Sequence, residues 1–233
     1  MQRNPARSHS TQAWIRCAGL LAGLLAGQQA FAADPGDAAQ ALVSSPLATR
    51  ANFNGEAASS AAHTVADWVV ERADNQHLPF VIVDKQEAKV FVFDGTGQLR
   101  GAAPALLGLA RGDDSVPGIG TRKLSSIRPE ERTTPAGRFV ANLDHGLKGE
   151  DMLWVDYETA ISMHAVVTSN PRERRLERLT SPSPADNRIS FGCINVPAKF
   201  FSGVVMPAFR GTDGIVYVLP ESKSLQTVFA IGP

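Results

Sequence analysis

The sequence predicts a mainly β domain of sandwich or barrel type, with a few short helices and one amphipathic helix ahead of it. Three observations carry this expectation. Short runs rich in β-branched and aromatic residues, at 80–83, 88–93, 137–143, 152–157, 160–168 and 214–219, are bounded by clusters of Gly, Pro, Asn and Asp, which is the pattern of strands joined by turns. Sustained helical periodicity is confined to the stretch before the first of these runs. A chain of 233 residues, 43% of them hydrophobic, is long enough for one globular core with appendages.

Residues 1–32 differ from the rest. Arg3, Arg7 and Arg16 precede an apolar run from Ala18 to Ala26, and the segment ends in Ala30-Phe31-Ala32. A basic start, a short apolar stretch and a small-residue end read as a secretory signal peptide cut after Ala32, and the run is too short for a membrane anchor. Export takes away three arginines, no acids and Cys17, leaving 20 basic and 23 acidic side chains and one cysteine, Cys193. The mildly acidic remainder argues against nucleic acid as a partner. A single thiol in an exported protein makes no internal disulfide, so it is either buried and inert or reactive. The expected location is the periplasm or cell envelope, without stable membrane insertion after cleavage.

Residues 33–56, rich in Ala, Ser, Pro and Asn, read as a linker or loosely held arm. Within 57–76, Ala61, Val65, Trp68, Val69 and Ala73 recur at helical spacing with Asp67, Glu71 and Arg72 between them, which predicts an amphipathic helix. The main domain is expected over 77–220, with 221–233 as a C-terminal tail. Its first two runs flank Asp84-Lys85-Gln86-Glu87 and form a hairpin, and Asp94-Gly95-Thr96-Gly97 turns the chain into 98–110. Residues 111–135 carry Pro117, Gly118, Gly120 and Pro129 and no regular period. Loops of that length commonly line sites. In 160–168, alternation sets Ile161, Met163, Ala165 and Val167 on one face and Ser162, His164 and Val166 on the other. The stretch 171–188 holds five arginines, four of them before the proline-rich part that stops any helix. It is either a solvated insertion or a surface whose arginines, Arg174, Arg178 and Arg188 among them, face an anionic substrate.

The chemistry centres on Arg188-Ile189-Ser190-Phe191-Gly192-Cys193-Ile194-Asn195-Val196-Pro197. With Asn195 as an N-cap and Pro197 in the first turn of a helix, the Cys193 thiol would feel the positive end of a helix dipole, which favours thiolate. A cysteine nucleophile also needs a base. Four histidines remain after export: His63 in the predicted helix, His77 just after it, His145 in a turn, and His164 inside an apolar strand. His164 is therefore the expected general base and acid for Cys193. The chain has no CxxC, no HExxH and no Gly-x-Ser-x-Gly, so no metal site and no serine nucleophile is expected, and no cofactor is implied.

At these residues the sequence resembles the L,D-transpeptidases with the YkuD-type catalytic domain. The family pairs a strand histidine with a downstream Ser/Thr-His-Gly-Cys, an apolar residue and Asn or Arg; here these are His164 and Ser190-Phe191-Gly192-Cys193-Ile194-Asn195. A second family element, Thr-Pro-x-Gly-x-Phe, stands at Thr134 to Phe139, and the resemblance spans about residues 78–220. The gap of 28 residues between His164 and Cys193 is longer than usual, and Phe191 replaces a histidine. The resemblance implies a YkuD-like fold and an oxyanion hole from the backbone N–H groups of Phe191, Gly192 and Cys193. It also implies that the Ala165 carbonyl orients His164, with the Ser162 side chain as an alternative, while Ser190 and Asn195 support the turn. The implied reaction is acyl transfer on peptidoglycan stem peptides through a thioester, with another stem or an envelope protein as acceptor. A hydrolase of the same fold and a non-catalytic envelope-binding module are the alternatives.

Overall fold

The computed structural model describes residues 50–232; the signal peptide expected over 1–32 and most of the 33–56 arm lie outside them. Ten strands carry the fold: β1 (Phe80–Asp84), β2 (Lys89–Phe93), β3 (Leu99–Pro104), β4 (Leu107–Gly108), β5 (Gly137–His145), β6 (Asp151–Asp156), β7 (Ile161–Ala165), β8 (Arg188–Ser190), β9 (Ile194–Val196) and β10 (Gly214–Val218). Eight form one sheet in the order β3-β2-β1-β10-β5-β6-β7-β9, and β4 pairs with β8. Pairing is antiparallel except for β1 with β10, β7 with β9 and β4 with β8, which are parallel. The chain leaving β3 curls round to the far edge, where Leu106 bridges Asn195. Both edges of the sheet are thereby brought together, and it is nearly closed. The domain is mainly β, as the sequence predicts.

Why β1, β2 and β10 are apolar on both faces follows from what covers them. Val81, Val83, Val90, Val92, Val216 and Val218 point into the interior of the curled sheet. Alternating with them, Phe80, Ile82, Phe91, Phe93, Ile215 and Tyr217 lie under the helix α1 (Ser60–Arg72). The interior is completed by a helical stretch in three parts: α3 (Ala198–Phe200), a π-helical turn (Phe201–Val205) and α4 (Met206–Phe209). Phe201, Val205 and Phe209 from this stretch are buried against the valines. Among the described residues no helix is long and apolar enough to cross a membrane.

The predicted helix over 57–76 is shorter at both ends. Ser59 is its N-cap, accepting from Ala62 N at 3.1 Å and donating to Asp84 Oδ2 at 2.5 Å, so the cap also docks the helix on the end of β1. Ala73 ends it by turning left-handed, with φ of 50°. The last residues assigned to the arm are seated rather than loose. Asn52 pairs with the backbone of Gly97 and Leu99, and Phe53, 5% exposed, sits edge-on to Phe91 and Phe93. The stretch read as a C-terminal tail holds a short helix α5 (Leu225–Phe229), and Phe229 is buried beside Trp68 and Tyr217.

A buried ion cluster ties these parts together. Lys85, fully buried in the β1–β2 turn, donates to Gly112 O at 2.6 Å, Asp113 Oδ1 at 2.8 Å and Thr134 O at 2.9 Å. Asp113 in turn accepts from the N–H groups of Glu221, Ser222 and Lys223. Glu221 pairs with Arg188 at 2.6 Å. Burial pushes the Asp113 carboxyl up, but Lys85, Ser222 and the backbone donors outweigh it and hold the group well below the usual carboxylate range. Burial pulls the Lys85 ammonium down, and Asp113 and Glu221 offset part of that.

Removing one member leaves a charge unpaired in the interior, which costs about 3–5 kcal/mol. Asp113→Ala is expected to lower stability by that amount in urea unfolding at neutral pH, and Asp113→Asn, which keeps an acceptor, by less. Because the folded-state pKa of Asp113 is depressed, its contribution is complete above the unfolded value of about 4. It is lost only as pH falls toward the folded value. An unchanged urea midpoint for Asp113→Ala would remove the cluster from this role.

Candidate active site

β7 and β9 lie side by side and parallel, with Met163 opposite Ile194, His164 opposite Asn195 and Ala165 opposite Val196. That register sets Cys193, the residue before β9, level with Ser162. The alternation expected in this strand holds: Ile161 and Met163 face the interior, and Ser162 and His164 face the cysteine turn. Parallel strands need a long connection, and residues 166–187 supply it. Its helix α2 spans Arg175–Leu179.

Asn195 is not a helix cap. Residues 194–196 form a strand, and helical structure begins only at Ala198, behind Pro197. No helix N-terminus stands at the thiol; its neighbours set its charge instead. Burial pushes the Cys193 thiol up, but the hydrogen bond and charge of His164, with the Ser162 contacts, outweigh it and leave the pKa below its ordinary value. Burial likewise pulls His164 down, and Cys193 with the Ala165 carbonyl more than offsets this, so the imidazole is raised. Each shift is the other's counterpart, because a thiolate and an imidazolium each favour the other's charged form.

The supporting contacts divide the roles. His164 Nδ1 lies 2.8 Å from Ala165 O. A carbonyl only accepts, so Nδ1 carries a proton and Nε2 is left to face the thiol. Ser162 Oγ reaches the Cys193 sulfur at 3.6 Å and Met152 Sδ at 3.5 Å, which makes it a neighbour of the sulfur and not the orienter of the ring. Ser190 Oγ donates to Cys193 O at 2.6 Å and accepts from Gly192 N at 3.1 Å. The Gly192 N–H is thus already engaged. Of the three donors expected to form an oxyanion hole, Phe191 and Cys193 remain.

Gly192 is required by both conformation and space. Its φ is +132°, and a Cβ there would stand 2.6 Å from Ile161 Cδ1 and 2.9 Å from Thr133 O. Thr134, in the Thr-Pro-x-Gly-x-Phe element, accepts from Gly108 N at 2.9 Å and donates to Gly192 O at 2.7 Å. Its role as a clasp on the cysteine turn had no signal in the sequence beyond membership of that element. The Phe191 ring packs under the guanidinium of Arg132, 3.9 Å from its centroid. Beside Phe191 and Cys193 a narrow cleft opens, walled by Ile119, Leu124, Ile127 and Ile161. The long irregular segment 111–135 therefore does line the site. It is held in shape by buried Glu131, which takes Arg122 at 3.0 and 3.1 Å and Arg128 N at 2.8 Å.

Three arginines expected to face substrate are otherwise engaged. Arg188 is 7% exposed and donates to Glu221 and Lys85 O. Arg178 holds the carbonyls of Glu173 and Asp186, and exposed Arg174 pairs with Glu177. The arginine that reaches the site is Arg175, whose NH1 donates to Asn195 Oδ1 at 2.6 Å. In an arginine-rich run the sequence offers nothing to single it out.

The mutual dependence of thiol and imidazole predicts the alkylation profile of Cys193. Its reaction with iodoacetamide should reach half-maximal rate below the free-thiol value of about 8.5. In His164→Ala burial dominates, and the midpoint should move above that value. Coincident profiles for the two proteins would detach His164 from the thiol.

No family model and no curated protein matches the chain. Among solved structures, the Enterococcus faecium L,D-transpeptidase C442S mutant is similar at 17% identity and a TM-score of 0.35, over 60% of this chain and 49% of that one. The helical cell shape determining protein Pgp2 from Campylobacter jejuni is similar at 14% identity and a TM-score of 0.41, over 63% and 49%. An L,D-transpeptidase from Mycobacterium tuberculosis H37Rv is similar at 15% identity and a TM-score of 0.37, over 60% and 57%. The chain thus spans about half the length of these proteins.

Proposed function

We propose that this protein is an exported cysteine acyltransferase of the L,D-transpeptidase type, acting on peptidoglycan stem peptides through a thioester on Cys193. The observation that carries the reading is the register of β7 on β9, which sets His164, its Nδ1 held 2.8 Å from the Ala165 carbonyl, beside the turn that bears Cys193. The family motif around both residues supplies the substrate class. His164 Nε2 takes the proton from Cys193, and the thiolate attacks the carbonyl carbon that precedes a terminal D-alanine. The oxyanion is met by the N–H groups of Phe191 and Cys193, because Ser190 already holds that of Gly192. His164 returns its proton to the departing amine, and the thioester forms.

An incoming amine, from a second stem or an envelope protein, then loses its proton to the same Nε2 as it attacks the thioester, and the thiol is restored. Water in place of the amine would make the enzyme a hydrolase. The half-buried sulfur and the apolar walls of the cleft favour transfer, because they limit the water that reaches the thioester. Phe191 contributes its backbone to this scheme, its ring being packed with Arg132.

The test is to give the purified protein a disaccharide-tetrapeptide and follow the products by mass spectrometry. Cross-linked dimers with released D-alanine are expected from the wild type, and none from Cys193→Ala or His164→Ala. Tripeptide without dimers would replace transferase with hydrolase. A carbapenem should add its mass to the wild type and not to Cys193→Ala. Absence of both turnover and adduct would sink the enzyme reading and leave an envelope-binding module.

A further inference from the structure

The arginine-rich crossover reaches the thiol and imidazole through one chain of contacts. Arg175, with a side chain 13% exposed, pairs through Nε with Glu173 at 2.5 Å and donates from NH1 to Asn195 Oδ1 at 2.6 Å. Buried Asn195 directs its other end inward, with Nδ2 at 3.2 Å from Cys193 O and 3.4 Å from His164 Nε2. A carboxamide has a donor end and an acceptor end, whereas guanidinium only donates and a carbonyl only accepts. Turning Asn195 over would set donor against donor at Arg175 and acceptor against acceptor at Cys193 O.

We propose that Arg175 is a positioning residue that locks the Asn195 carboxamide with its donor end toward His164, so that no side-chain oxygen competes with the Cys193 sulfur for the imidazole proton. This rests on the reading of His164 and Cys193 given above. With the ring neutral, Nδ2 can donate to Nε2. With the ring protonated, Nε2–H finds no acceptor on Asn195 and stays directed at sulfur or at the leaving amine. In the opposite orientation Oδ1 would accept that proton and stabilise an imidazolium off the reaction path. Charge acts in the same sense: a cation beside the ring disfavours its protonated form. The ionisable groups acting on His164 are Cys193 from the turn, Arg175 from the crossover with Glu173 on its far side, and exposed Glu150 from the β5–β6 loop.

The experiment titrates the His164 ring by NMR in Cys193→Ala, where the thiol is absent and turnover is irrelevant. Adding Arg175→Met should raise the His164 pKa by about 0.5 to 1 unit. Arg175→Lys, which keeps the charge and one donor, should leave it within a few tenths of the parent. Glu173→Gln, a milder change that strengthens the net positive field of Arg175, should lower it. In protein that retains Cys193, Arg175→Met should reduce kcat several-fold with KM little changed. A His164 pKa equal to the parent in Arg175→Met, an equal rise in Arg175→Lys, or a rise in Glu173→Gln would each overturn the proposal. If the ring titrates as expected but stem peptides are not consumed, the proposed reaction fails and the positioning role stands.

Discussion

The buried pair of Lys85 with Asp113 is the constraint on which the site rests. Lys85 lies in a hairpin turn, a place where lysine normally reaches solvent, yet its ammonium is spent on Gly112 O, Asp113 and Thr134 O. Those bonds fix the start of the 111–135 segment and the residue that clasps the cysteine turn. The pair also draws in the chain beyond β10, through the N–H groups that Asp113 accepts, and from there Glu221 holds Arg188 at the head of β8. β8 leads directly into Ser190 and the thiol. The turn bearing Cys193 is therefore gripped from two sides: Thr134 binds its Gly192 carbonyl and Arg188 anchors its entry. Replacing such pairs with apolar groups often costs little, so their value here lies in specifying one arrangement of five segments that have little else in common.

Against that rigid frame the thiol needs no helix dipole. A strand follows Cys193, and parallel pairing with β7 brings the histidine strand beside it in a register that leaves little freedom. The dipole of a helix end would act on the sulfur whatever the state of the imidazole. A charge exchanged with His164 instead makes each group's protonation depend on the other's, which suits a proton that must leave the thiol and later be returned to an amine. Gly192 is the concession that lets the turn pass under Thr133 and Ile161, where no side chain fits.

These relations explain which parts the sequence makes legible. Period-two alternation reveals Ser162 and His164 against Ile161 and Met163 because one face of the strand packs into the apolar interior and the other meets the polar cysteine turn. The hairpin of β1 and β2 and the amphipathic α1 are local for the same reason. The pairing of β7 with β9 is not local; residues 166–193 intervene, and Asn195 followed by Pro197 carries the same signal at a helix start as in a short strand that ends at proline. Arg188 and Arg175 sit in similar company, yet one is buried under Glu221 and the other meets Asn195. Nothing within a few residues of either records that difference. Lys85 is hidden in the same way, since its partners are 28 and 49 residues away.

The length of the crossover acquires a reason from this geometry. Two parallel neighbours require a connection whatever its use, and a shorter chain would have joined β7 to the cysteine turn more directly. The extra residues fold into a 3-10 turn and α2, which bring the Glu173–Arg175 pair onto Asn195. Placing the cation one residue removed from the imidazole matters: direct contact would set a full positive charge against the protonated ring, whereas Asn195 passes on the orientation through a neutral group. The crossover thus turns an obligatory connection into a fixed partner for the histidine. Two of its other arginines, Arg174 and Arg178, bind within the crossover and hold the shape that this partner depends on.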